Sequence, residues 1–383
     1  MGVTIGVAFP GDGRRRGVRS GVPYSLALGL RAAGIDVRHI LAEPSPPFGR
    51  VCFDLLTAAQ LPRAVRLRSP RMSRTLAYNG AMGAVQTWAV QRRLQAEDDL
   101  DGVVQVGSSY VLPDGIRTVT HDDMTVLQAL RAGYATVGSL SGRQLDARIE
   151  RQRRAFERAS ACCVVTRWAA RSVIDDYGIS PAKVFIVGGG RNREPRSVVR
   201  DWSVPRFLFV GKDWQRKNGP AVLKAFSRLS RELPDATLDV VGNHPPLEAA
   251  GVFTHGPLGL ERAEEREKLD RLFERATCFV MPSRHEPSGI VFSEANASGI
   301  PSIGSTEGGS GELIGDAGRI VHPDDEVGLL AAMLELSDPE TARQLGENAK
   351  RRSSLFTWNA VAERLLRALA IDGVETSRLA PFL

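Results

Sequence analysis

The chain has 383 residues, 43% of them hydrophobic and 25% charged, which fits a soluble globular protein of two domains. No apolar run reaches the roughly 18 residues of a membrane span, and the opening VTIGVAFP has no basic region ahead of it, so neither a spanning protein nor a secretory leader is expected. The net charge is +6, yet residues 1–100 hold 14 arginines and no lysine against 7 acids, which suits an anionic partner for that region (a phosphorylated substrate, a lipid head group or a membrane surface) or, equally, arginines that are merely solvated in loops.

Taken in order, apolar strand-like runs alternate with helix-length patterns. VTIGVAF (3–9) is the first strand, and a loop rich in glycine and arginine leads to a helical SLALGLRAAG (25–34), closed by Gly34. Strands are expected at IDVRHIL (35–41), GVVQVGSS (102–109), RTVTH (117–121), ACCVVT (161–166) and KVFIVGGG (183–190), with helix between Arg71 and Leu100. RNREPRSVVRDWSVP (191–205) interrupts the pattern with charge and two prolines. The alternation then restarts: RFLFVG (206–211), a helix over 219–232, TLDVVGN (237–243), VFTHG (252–256), a charged helix over 261–275, TCFVMP (277–282), a helix near 289–298, IPSIGS (300–305), GRIVHP (318–323) and helices to the end. This is βαβ alternation and predicts parallel sheets covered by helices. The predicted domains are 1–195 and 196–360, with a helical tail over 361–383 packing back on the first. Two such sheets leave a cleft, and ligands in these folds sit beyond the carboxyl ends of strands. Cys52, Cys162, Cys163 and Cys278 lack metal-ligand spacing; the last three lie in apolar runs and are expected as reduced core residues of a cytoplasmic protein.

Four stretches carry candidate chemistry. The loop FPGDGRRRGVRSGVPYS (9–25) follows the first strand; its glycines suit close ligand approach, and Arg14, Arg15, Arg16 and Arg19 could meet an anionic acceptor. It does not match G-x-G-x-x-G, so a nicotinamide enzyme is not supported. His121 ends RTVTH, where a histidine can bond a ligand or move a proton, or be a plain polar loop residue. In VGKDWQRKNGP (210–220), Lys212, Arg216 and Lys217 cluster at a strand's carboxyl end, as a diphosphate would require. Lysine is scarce, six against 44 arginines, and Lys212, Lys217 and Lys224 fall close together. In MPSRHEPSGIVFSEANASG (281–299), Glu286 follows a buried-type strand, a helix begins near Gly289 with unpaired N–H groups, and Glu294 lies further along it. A carboxylate accepts hydrogen bonds from paired hydroxyls and a helix N-terminus holds phosphate. Read alone, the same glutamates would serve as a helix cap and a surface acid.

Together these residues resemble the retaining glycosyltransferases of GT-B type, family 4. EPSGIVFSE (286–294) resembles that family's Glu-x7-Glu motif, EANASGIPSIGS its alanine-rich stretch, GGSGELI (308–314) its next glycine-rich turn, GKDWQRKNG its diphosphate loop, and TWNAVAERLL (357–366) its last tryptophan helix. In the first half, SGVPYSLALGLRAAGIDV, THDD (120–123) and 164–190 also align. The resemblance implies an α/β fold of two Rossmann-like domains with parallel sheets facing a central cleft, the first binding acceptor and the second a nucleoside-diphosphate sugar. It implies that Glu286, Ser288, Gly289 and His121 meet the donor sugar, that Lys212, Lys217, Gly21, Gly289 and Ile290 hold the diphosphate, and that Glu294 and Leu258 meet ribose and base. Glu286, His121 and Lys217 would carry catalysis. The sequence departs from the family at Lys212, where arginine is usual, at Ser20-Gly21 in place of Gly-Gly, and at Gly-Gly-Gly-Arg-Asn (188–192) in place of Pro-Asn-Gly.

The expected reaction is transfer of a hexose to an acceptor hydroxyl with retention. No cofactor and no metal are expected, since lysines and a helix N-terminus can balance the diphosphate. The acceptor could be a small molecule, a glycan or a lipid-linked sugar; nucleic acid is not an expected partner. The expected location is the cytoplasm; Arg63, Arg66, Arg68, Arg71 and Arg74 could face the inner surface of a membrane or an anionic acceptor, or be merely solvated beside a neutral soluble one. A nucleotide-sugar epimerase on the same architecture and a catalytically silent donor-binding subunit are the alternatives.

Overall fold

The computed structural model describes residues 2–44, 51, 80–97, 99–196 and 198–370. The chain divides into two compact units, Met1–Gly188 with Val361–Leu383, and Gly189–Ala360. The sequence reading places the break at 195/196; in the structure the units part at 188/189 and again at 360/361.

The first unit is built on six parallel strands: β1 (Thr4–Phe9), β2 (Asp36–Leu41), β3 (Gly102–Val106), β4 (Thr118–Asp122), β5 (Ala161–Val164) and β6 (Val184–Ile186), in the order β2-β1-β3-β4-β5-β6. Strands β3, β4 and β5 are buried along their whole length, which is why GVVQV and ACCV read as continuous rather than alternating apolar runs. Helix Val22–Ala32 starts three residues before the expected 25 and has a proline in its first turn, where a missing N–H costs nothing. Gly34 follows it at φ +79°. Three helices that the sequence reading does not name, Val126–Arg131, Gly142–Arg158 and Arg167–Asp175, cover the sheet. The last two pack on β5 through Phe156, Ala169 and Val173, and Phe156 packs edge-on to Tyr177 at 5.3 Å. Cys162 and Cys163 are buried free thiols in this core. Arg117 donates to the Ala370 carbonyl (2.5 Å) and Arg364 to that of Val187 (2.8 Å), which ties the closing helix, Trp358–Leu369, into the first unit.

The second unit repeats the plan: β7 (Arg206–Gly211), β8 (Thr237–Gly242), β9 (Val252–Thr254), β10 (Cys278–Val280), β11 (Ser302–Ser305) and β12 (Gly318–Val321), all parallel, in the order β12-β11-β10-β7-β8-β9. Helix Gly219–Glu232 has the bounds expected from the sequence. Its core is aromatic: Phe207 meets Phe226 at 6.3 Å, Phe279 meets Phe273 at 6.2 Å and Phe292 at 5.3 Å. Cys278 lies here, buried and free; Cys52 lies outside the described residues. In each sheet the chain first runs one way and then the other. The reversal falls between β1 and β3 in the first unit and between β7 and β10 in the second. Such reversals open crevices at the carboxyl ends of the strands, where ligands bind.

Candidate functional site

In the second unit the crevice between β7 and β10 is lined by the two loops that carry the sequence candidates. The first, Lys212–Asn218, is wound tightly. Lys217 N–H donates to the Asp213 carbonyl (2.9 Å) and Gly219 N–H to that of Trp214 (2.9 Å). Trp214 is buried against Phe209 at 5.3 Å and lies so close over Gly219 that a methyl group there would collide with its ring. Asn218 takes a left-handed φ of +60° and anchors through its amide to the Pro323 carbonyl (2.6 Å). The loop therefore turns Lys217 inward, where burial pushes its pKa down and the Glu286 carboxylate opposes that shift. Lys217 and Glu286 form a close ion pair, and Arg216 lies 4.0 Å from the same carboxylate oxygen.

The second loop, 281–289, is held from both sides. Arg216 donates its side chain to the His285 carbonyl (2.8 Å) and accepts the Arg284 N–H on its own carbonyl (2.8 Å). Glu286 pairs its backbone with the glycine-rich turn after β11: its N–H donates to Glu307 (3.0 Å) and its carbonyl accepts from Gly309 (2.9 Å). Gly308, at φ +118°, lies against the Glu286 backbone with no room for a side chain. This contact is the physical role of GGSG. The buried Glu286 side chain also accepts from Ser283 Oγ (3.4 Å). Three residues on, Gly289 at φ +75° opens helix Ile290–Ala297, and an added Cβ there would fall 2.7 Å from Phe292. Glycine is thus required both by conformation and by space. Ser288 is buried beside it and Ile290 is the first helical residue, half-buried.

Glu294 lies in the second turn of that helix, 7% exposed. Burial raises its pKa to about 7, against the pull of Arg193 and of the Asn192 N–H that it accepts; Asp270 raises it further. Lys212 is exposed, its carbonyl accepting from Asn243 (3.1 Å), and the cation next to Lys217 at Glu286 is Arg216. Leu258 is half-buried in the loop after β9.

In the first unit the crevice between β1 and β3 holds a second set. After β1, Arg14, Arg15 and Arg16 are exposed on a turn closed by Asp12, and Arg16 stacks on Tyr24 at 5.1 Å. Arg19, Ser20 and Gly21 follow at φ +45°, +53° and +80°. Left-handed backbone at an arginine and a serine is strained and persists where the surroundings impose it. It brings the Arg19 guanidinium against Gly107 at the end of β3 and within 3.4 Å of Asp123. His121, at the end of β4, is buried; burial and the Arg19 charge push its pKa down to about 4, so the ring is neutral at pH 7. Next to it Asp122 is pushed up to about 6 by burial and accepts from Ser108 Oγ (2.9 Å). Sequence reasoning missed the Arg19–Asp123 pair, Asp122 and the Asn192–Arg193 contacts. Arg63, Arg66, Arg68, Arg71 and Arg74 lie outside the described residues. Among the described residues no helix is long and apolar enough to cross a membrane, and no three His, Cys, Asp or Glu side chains gather as a metal site.

Residues 204–338 match the family described as Glycosyl transferases group 1, a span that contains both loops of the second-unit site. The chain is 28% identical over 374 residues to a glycogen synthase of Mycobacterium tuberculosis, an alignment covering 88% of this chain and 87% of that one. The chain is a glycosyltransferase. This glycosyltransferase is also 25% identical over 266 residues to a D-inositol 3-phosphate glycosyltransferase of Corynebacterium diphtheriae, 62% of each chain. Its fold matches that of sucrose-phosphate synthase from Thermosynechococcus elongatus, with a TM-score of 0.67 at 18% identity over 95% of this chain and 98% of that one. It also matches WaaG, a glycosyltransferase involved in lipopolysaccharide biosynthesis, with a TM-score of 0.63 at 19% identity over 97% and 100%.

Proposed function

We propose that the protein transfers a hexose, with retention at the anomeric carbon, from a nucleoside-diphosphate sugar to an acceptor hydroxyl. The observation that carries this reading is the constellation at the β7/β10 crevice: a buried carboxylate, Glu286, between the cations Lys217 and Arg216, beside the amino end of helix Ile290–Ala297. Glu286 would accept hydrogen bonds from hydroxyls of the donor hexose. Lys217, with Arg216 beside it, would turn from Glu286 to the diphosphate as the sugar–phosphate bond breaks. The free N–H groups at Gly289 and Ile290 would add to that field. Charge stabilisation on the leaving diphosphate, in a site that is already built, would supply the largest part of the rate. Glu294 would hold the ribose. His121, neutral, can share a hydrogen bond with the transferring sugar without adding charge. Attack would occur on the face the diphosphate leaves, with the acceptor proton passing to a departing phosphate oxygen.

No metal enters this scheme, and activity should survive exhaustive chelation. The names of the relatives range from glycogen synthesis to an inositol phosphate, so the acceptor is to be found by screening hydroxylated sugars, polyols and their phosphates. The deciding experiment incubates the protein with labelled nucleotide-sugars, with and without such acceptors. Label moving to an acceptor in wild type and falling at least about a hundredfold in Glu286→Ala is expected. Conversion of the sugar on its nucleotide without acceptor, or no turnover with any donor, would overturn the reading.

A further inference from the structure

Glu294 is held by the chain segment that enters the second unit, and that segment is in turn held by the one that leaves it. The chain passes between the units at 188/189 and at 360/361, and both flanking stretches, 190–193 and 353–358, belong to the second unit. Arg191 N–H donates to the Phe356 carbonyl (2.8 Å), and the Arg191 side chain to that of Ser353 (3.0 Å). Trp358 Nε1–H donates to Asn192 Oδ1 (3.0 Å). Gly190 faces the Trp358 ring, where a Cβ would fall 2.7 Å from the Trp358 nitrogen. On the other flank, buried Arg193 bonds Asp270 through Nε (2.6 Å) and lies over Phe273 at 4.2 Å. Asn192 is thus pinned on both sides, and its backbone N–H is the donor that meets the Glu294 carboxylate.

We propose that Asn192 and Trp358 are positioning residues for Glu294, so that the latch between the two crossing segments sets the direction of the carboxylate that holds the donor nucleotide. The inference rests on the reading of Glu294 as a nucleotide-binding group. A buried carboxylate with one backbone donor has several rotamers, and fixing one of them before binding removes an ordering cost from the nucleotide's affinity. Trp358 is 7% exposed and meets Asn192 through its Nε1–H, so a change at that donor reaches Glu294 along this chain of contacts.

The test measures the affinity of UDP, GDP and ADP by titration calorimetry and follows the one that wild type binds best. Trp358→Phe keeps an aromatic ring near Gly190 while removing the donor and part of the buried indole; Asn192→Ala removes the same bond from the other side without touching that ring. Each is expected to raise the Kd about five- to twentyfold, and the double variant no more than either alone. In a Glu294→Ala background neither is expected to weaken binding further, a coupling that general loosening of the fold would not produce. If Glu294→Ala weakens binding but Trp358→Phe and Asn192→Ala leave the Kd unchanged, or weaken it equally in the Glu294→Ala background, the positioning role is overturned and the donor-site reading stands. If Glu294→Ala itself leaves the Kd unchanged, both fall.

Discussion

Glu294 is a carboxyl whose ionised form burial disfavours, and Glu294→Gln makes that measurable as a stability difference that depends on pH. The carboxyl titrates near 4.5 when exposed and at about 7 in the folded chain. The folded state therefore binds this proton more tightly than the unfolded state does. Stability from this group is full below pH 4.5 and is lost as pH rises through 7. With about 1.36 kcal/mol per pKa unit, the 2.5-unit gap corresponds to about 3 kcal/mol lost at pH 8, of which about 2 to 3 kcal/mol develops between pH 5 and pH 8. Glutamine is near the same size, accepts the Asn192 N–H and carries no charge. Relative to wild type, Glu294→Gln should therefore gain about 2 to 3 kcal/mol between pH 5 and pH 8, read as about 6 to 10 °C in the second unit's melting temperature. The assay is thermal and urea unfolding of both proteins at half-unit steps of pH, with fluorescence and calorimetry compared, because two units need not unfold together. Nucleotide affinity should move the opposite way and weaken in the variant. Parallel stability curves for the two proteins across this range would refute the claim that Glu294 is held as a strained charge.

Gly289→Ala should cost about 1 to 3 kcal/mol of stability and lower transfer more than it lowers nucleotide binding, since it displaces the loop between Glu286 and the helix start; urea unfolding and donor titration separate the two effects. Arg200 donates to the carbonyls of Phe273, Glu274, Ala276 and Ser298 from the ends of two helices, and burial pushes its pKa down to about 10. Arg200→Ala should therefore destabilise the second unit by about 2 to 4 kcal/mol with nucleotide affinity retained in the folded fraction, as checked by unfolding and calorimetry.

Much of this was legible in the sequence because it is written in local pattern. The strands of both sheets follow from apolar runs bounded by glycine and proline, and the observed strands are shorter than the runs because their last residues already turn into the loops. Glu286 and Gly289 could be found because a proline and two glycines break an apolar stretch at a strand's end. Lys217 stood out because lysine is rare in this chain. Arg19 and Ser20 could not be read as left-handed, since neither residue type favours that conformation, and the contact Arg19 makes with Asp123 lies 104 positions away. Asn192 and Arg193 sat in a charged stretch that looked like a linker. Their partners, Trp358 and Asp270, lie 166 and 77 positions away, and no local signal announces such a pairing. Lys212 and Arg216 were equally good candidates by charge, and only the winding of the loop around Trp214 turns Arg216, not Lys212, toward Glu286.

The parallel pairing of Glu286 with the turn at Gly308 has a consequence for the order in which the protein comes into being. The carboxylate has its cationic neighbour 69 residues upstream and its backbone support more than twenty residues downstream. Contacts of such separation close late in folding, because the loop entropy must be overcome before they return anything. On the ribosome, a chain that has emerged only as far as helix Ile290–Ala297 has Lys217 and Glu286 but holds the second loop from the Arg216 side alone. The ability to grip a donor therefore arises in one step, when the residues around Gly308 emerge, and nucleotide capture by arrested nascent chains of increasing length should switch on there.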